Sequence, residues 1–118
     1  MTKVTRDEVD KALESLKSTP QDPQALALAV RTSLQWFAQQ NPGRAVEVRV
    51  PPYFAVQILG GTTHRRGTPP AVVEMSPQTW LDLFTHKQSW EDAEKNGQVS
   101  ASGLRSDLGP VLTPQADQ

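Results

Sequence analysis

Cysteine is absent from the 118-residue chain, so no disulfide framework, thiolate nucleophile or cysteine-built zinc cage can form. Long apolar runs are missing too. No stretch approaches the roughly 18 residues that a membrane-spanning helix needs, which argues against integral membrane association. The opening residues MTKVTRDEVD lack the apolar core of a secretory leader, and the chain reads as cytoplasmic. Charge of one sign is not in excess: 12 Lys and Arg stand against 13 Asp and Glu, for a net of −1. That balance excludes the broad basic footprint of a nucleic-acid binder. Apolar residues are scarce at 36%, and aromatics reach only 6%. Typical domains hold about 45–50% apolar residues with Gly counted, so the core is small or the chain ends lie outside it.

Catalytic patterns are equally sparse. No G-x-S-x-G elbow occurs, and Ser102-Gly103 lacks the leading Gly it would need. Neither G-x-x-x-x-G-K-[ST] nor G-x-G-x-x-G is present, so no phosphate cradle is supported. The two histidines, His64 and His86, are far apart, and neither has a partner at metal-ligand spacing. The reading is therefore of a chain that is not an enzyme and holds neither metal nor cofactor.

What is present is regular patterning broken by 10 prolines and 7 glycines. Thr5 and Glu8 form a capping box that opens a helix over 5–18, with Val9, Ala12, Leu13 and Leu16 as a thin apolar stripe. So narrow a stripe docks on something or frays. Asp22-Pro23 opens a second helix, in which Leu26, Ala29, Val30, Leu34, Phe37 and Ala38 share one face and Trp36 borders it. Val46 to Val50 alternates strictly and predicts a strand with its valines inward. Pro51-Pro52 interrupts, and a strand follows from Tyr53 to Leu59 with Phe54, Val56 and Ile58 on one face. Gly60-Gly61 reads as a hairpin turn, Thr62 to Gly67 as a short polar strand, and Ala71 to Met75 as another strand. Ser76-Pro77 starts a helix carrying Trp80, Leu81, Leu83 and Phe84. Ser89 starts a short one with Trp90 and Ala93, which Asn96-Gly97 closes. A last strand runs from Gln98 to Gly103, with Val99 and Ala101 on one side, and Leu104, Leu108 and Leu112 supply a final helical turn. The expected organisation is an N-terminal helix and linker over 1–21, an α+β domain over 22–112 and a polar tail over 113–118.

Two features carry candidate chemistry. The stretch His64-Arg65-Arg66-Gly67 offers two guanidinium forks for a carboxylate or phosphate. The plainer reading is a charged, solvated hairpin edge that discourages edge-to-edge aggregation. Trp80, Phe84 and Trp90 cluster in sequence, and with Phe37 they would line an apolar cavity or simply fill a core. Asp82 and Glu91, beside these aromatics, read as exposed helix positions. Charge is also segregated: Arg31, Arg44, Arg49, Arg65 and Arg66 fall in one stretch, and Glu74, Asp82, Glu91, Asp92 and Glu94 in the next.

Met75-Ser76-Pro77-Gln78-Thr79-Trp80-Leu81-Asp82-Leu83 resembles the strand-to-helix entry of sterol carrier protein domains. Trp90-Glu91-Asp92-Ala93 and then Gly97-Gln98-Val99-Ser100-Ala101-Ser102-Gly103 are similar to that family's short helix and final strand. Arg66-Gly67-Thr68-Pro69-Pro70-Ala71-Val72-Val73-Glu74 looks like a stand-alone bacterial branch of the superfamily. The likeness spans about Ala25 to Leu112. It implies an α+β fold with a mostly antiparallel sheet of about five strands, covered on one face by helices that enclose an apolar tunnel. It also implies non-covalent binding of a fatty acid, sterol or other apolar molecule without catalysis. By position, the implied lining residues are Phe37, Val48, Phe54, Val56, Val73, Trp80, Phe84, Trp90, Val99 and Leu108, with Arg65 and Arg66 meeting a head group. The chain departs from the pattern at Pro51-Pro52, which shortens the sheet, and ends Ala116-Asp117-Gln118 instead of in a Ser-Lys-Leu type signal. Bulky Trp80 and Trp90 would fill such a tunnel. The competing expectation is a dimerisation or protein-interaction module with a filled core, in which the helix over 5–18 docks on a partner or a second copy.

Overall fold

In a computed structural model, residues 3–59, 71–102 and 108–112 are described. The candidates Gly60-Gly61, the strand Thr62 to Gly67, His64, Arg65, Arg66 and Leu104 lie outside them. The elements are α1 (Arg6–Ser18), α2 (Pro23–Gln40), β1 (Val46–Val50), β2 (Phe54–Ile58), β3 (Ala71–Met75), α3 (Pro77–Phe84), α4 (Trp90–Lys95), β4 (Val99–Ser102) and the short α5 (Gly109–Leu112).

Each longer helix begins where its cap chemistry places it. The Thr5 side chain accepts from the Glu8 N–H while Glu8 reaches back to the Thr5 N–H, which satisfies two end donors of α1. Asp22 accepts from the Gln24 N–H at 2.9 Å ahead of Pro23, and Ser76 from the Thr79 N–H at 3.1 Å ahead of Pro77. Ser89 does the same for α4 through the Asp92 N–H. After α4, Gly97 adopts φ +71°, a left-handed value that glycine takes without steric cost.

The sheet order is β2-β1-β3-β4. β1 pairs antiparallel with β2, and the turn between them is Pro51-Pro52-Tyr53, closed by the Tyr53 N–H donating to the Val50 carbonyl at 3.0 Å. β3 then lies against the other edge of β1 and runs parallel to it, with Val48 beside Val73. β4 returns antiparallel to β3. Among the described residues the sheet thus has four strands and is mixed, where about five mostly antiparallel strands were expected. Alternation predicts that a strand exists and which face it buries. It does not say which edge the strand joins, and here β3 joins the edge of β1 opposite β2.

Helices cover one face. Val46, Val48, Val50, Ile58, Val73 and Met75 are buried there against Val30, Leu34 and Phe37 of α2 and Trp80, Leu83 and Phe84 of α3. The opposite face carries Glu47, Arg49, Gln57, Glu74 and Ser100, so the period-two pattern separates core from solvent. Arg49 hydrogen-bonds Glu47 and lies in register with Glu74; these acids raise its pKa above the ordinary value. Arg49 and Glu74, one from each of the oppositely charged stretches, thus stand side by side on the open face. Ala101 shares the helix-covered face with Val99, opposite Val73, yet it is exposed.

Candidate functional site

The expected lining residues do converge on one layer. Phe37, Val48, Val73, Trp80, Phe84, Trp90, Val99 and Leu108 are buried, and Phe54 and Val56 are half-buried on the same face at the β2 side. At the centre of this layer the aromatics interlock. Phe37 and Trp80 meet edge to face at 5.2 Å between ring centroids, and Trp80 and Phe84 lie at 5.5 Å. Trp80 is 0% exposed. Its indole N–H donates to the Ser33 hydroxyl at 2.8 Å, and that hydroxyl donates to the Ala29 carbonyl at 2.6 Å. Ser33 falls on the apolar face of α2, four residues after Ala29 and four before Phe37. That spacing was the available sign of its burial, but its polar side chain kept it out of the expected core. The Trp90 indole N–H, by contrast, is buried with no acceptor among the described residues.

On the other side of α2 and α3 lies a groove of about 470 Å³. This is within the roughly 300–1,000 Å³ typical of small-molecule sites. Its walls come from three places. α1 and its exit give Leu13, Leu16, Lys17 and Pro20, and α2 gives Leu26. α3 and the turn after it give Gln78, Leu81, Asp82, Thr85 and Lys87. None of these was among the expected lining residues. The signal was the narrow stripe of α1 itself: Val9 and Ala12 are buried against the core, which leaves Leu13 and Leu16 half-buried toward the groove.

Polar contacts fasten the start of α1 to the domain. The Val4 N–H donates to Gln39 Oε1 at 2.7 Å, and Gln39 Nε2 donates back to the Val4 carbonyl at 2.7 Å, so one side-chain amide pairs with the backbone like a ladder rung. The Arg6 guanidinium lies 4.9 Å from the Trp36 ring centre and 5.3 Å from that of Phe84, in cation–π range, and also pairs with Asp10. Trp36 and Phe84 meet edge to face at 6.0 Å beneath it. α1 therefore docks on α2 of its own chain. Beyond Ala12, Leu13 and Leu16 pack at the edge of the core and wall the groove.

A shallower depression of about 410 Å³ lies at the hairpin turn among Arg49, Pro51, Pro52, Tyr53 and Phe54. Among the described residues, no group of three metal-ligating side chains stands together and no helix is long and apolar enough to cross a membrane.

No curated protein matches the chain. A family described as the bacterial SCP ortholog matches residues 22–114, from the N-cap of α2 through α5. α1 lies before the matched region, so Leu13, Leu16, Lys17 and Pro20 of the groove's ten lining residues precede the part of the chain that the family matches. With most of its length matched and the expected strand-to-helix entry at Ser76-Pro77 in place, the chain belongs to the family of the bacterial SCP ortholog.

Proposed function

We propose that this chain is a non-catalytic binding protein for an apolar or acyl-chain ligand, and that the ligand sits in the groove between α1, α2 and α3. The observation that carries the reading is the groove itself, in which Leu13, Leu16, Leu26 and Leu81 line open space of about 470 Å³. Each methylene removed from water there contributes about 0.8 kcal/mol, so a medium-length chain supplies useful affinity without any polar contact. Family membership supports the same reading. The centre of the sheet–helix layer, by contrast, is filled by Trp80 and its aromatic neighbours. The test is displacement of a fluorescent fatty acid from the purified chain, with native mass spectrometry of the complex. Saturable one-to-one binding supports the proposal, and its absence sinks it.

The second reading is a protein-interaction or dimerisation module with a filled core. The sealed Trp80–Ser33 contact favours it. The docking of α1 on its own α2 removes the argument that this helix waits for a partner.

A further inference from the structure

A tight turn joins α1 to α2, with the Asp22 N–H donating to the Thr19 carbonyl at 3.0 Å. Ten residues separate Arg6 from Leu16 on α1, and ten separate Trp36 from Leu26 on α2. At 1.5 Å per residue, both spans are about 15 Å. The fastening of Arg6 on Trp36 and the groove wall at Leu16 and Leu26 therefore lie at the two ends of one matched antiparallel pair. The fastening is directional. The Gln39 amide pairs with both the N–H and the carbonyl of Val4 at 2.7 Å, and a slip of one residue breaks that pairing. Arg6 lies over Trp36 of α2 and Phe84 of α3 at once, so it ties the start of α1 to both helices that supply the facing wall. The apolar stripe is a weaker ruler. The buried residues of α1 are Val9 and Ala12, both small, and apolar contact has no preferred direction.

We infer that Gln39 and Arg6 are positioning residues for the groove: they hold α1 in the register that sets Leu13 and Leu16 across from Leu26 and Leu81, and so fix the groove's width for an apolar chain. Neither residue lines the groove itself. They act through the helix. A slip of one residue moves α1 by 1.5 Å and turns its faces by about 100°, which carries Leu13 and Leu16 off the wall. The inference rests on the apolar-ligand reading above and adds to it what determines the fit. Gln39 lies inside the region that the family matches, whereas Val4 and α1 precede it. The groove is thus set by a contact between the matched domain and an element that this chain carries ahead of it.

The experiment measures binding of 1-hexanol, 1-octanol and 1-decanol to the full chain by titration calorimetry. These uncharged probes report the apolar fit alone. In the native chain, affinity is expected to rise about fourfold per added methylene, the value for full burial. In Arg6→Met/Gln39→Leu it is expected to rise less than about twofold, because a displaced wall leaves methylenes in water. Gly97→Ala destabilises the chain at the end of α4, outside the groove, and is expected to keep the native increment. Where the double variant unravels α1, one alanine inserted after Asp10 decides. The insertion leaves Val4 and Arg6 in place and turns Leu13 and Leu16 by about 100°. It is expected to lower the increment while the Val4 amide, held by Gln39, still exchanges slowly. A native increment in the double variant, or a loss that Gly97→Ala shares, overturns the inference while the groove stands. So does a native increment in the inserted chain, or fast exchange of its Val4 amide. No binding by the native chain, or binding that does not grow with chain length, overturns both readings.

Discussion

The Trp80 indole donates to the Ser33 hydroxyl over 2.8 Å, and this single contact locks α3 to α2 in the middle of the core. Removing the acceptor leaves the donor buried and unpaired, a penalty of about 1–3 kcal/mol. Ser33→Ala is therefore expected to lower unfolding stability by that amount in urea titration. Trp80→Phe combined with Ser33→Ala is expected to cost less than the sum of the single changes, since neither polar group is then stranded. Trp90→Phe is expected to cost less than Trp80→Phe, because the Trp90 indole N–H has no acceptor to lose.

The pairing of Gln39 with Val4 predicts a local effect. Gln39→Leu removes two hydrogen bonds of 2.7 Å, each worth about 0.5–1.5 kcal/mol net. Amide exchange is expected to rise along α1 and to stay slow at the centre of α2. Arg6→Met keeps the aliphatic contact with Trp36 but loses the charge over the rings. The side chain of Arg6 is 53% exposed, so the expected cost is below about 1 kcal/mol.

Gly97 ends α4 at φ +71°, with open space where a Cβ would stand. The cost of a side chain there is conformational, not steric crowding. Gly97→Ala is expected to destabilise by about 1 kcal/mol, and Gly97→Asn by less, since Asn tolerates the left-handed region better. Thermal melts of the two variants check the order.

How far the sequence was legible follows the range of each interaction. Caps are local, so Thr5 with Glu8, Asp22-Pro23 and Ser76-Pro77 marked their helices to the residue. Alternation is local too, and Val46, Val48 and Val50 were placed inward correctly. Pairing is not local. Nothing in Ala71 to Met75 says that it lies parallel to β1, so the mixed sheet was not legible. Ser33 was passed over because polarity outweighed its position on the buried face, and only its distant partner Trp80 explains it. The groove was missed for the same reason: its walls come from Leu16, Leu26 and Leu81, which only tertiary packing brings together. The interior list, from Phe37 to Leu108, rested on a resemblance, and these residues do share one layer.

Filling the groove separates binding from stability. Leu16 is half-buried on the groove wall, so Leu16→Trp has room to place its ring in the open space. The variant is expected to melt within a few degrees of the native chain and to lose fatty-acid displacement. Val48→Ala, in the sheet layer, is expected to do the reverse. It costs stability on the order of 1–3 kcal/mol through the cavity left behind, and it leaves binding intact.

The most direct test of the account is a methyl NMR titration of the full chain with decanoate. Shifts are expected to concentrate on Leu13, Leu16, Leu26 and Leu81, with Val48, Val73 and Val99 unmoved. Shifts confined to the sheet-layer valines, or no saturable shift at all, would contradict a ligand site between α1, α2 and α3.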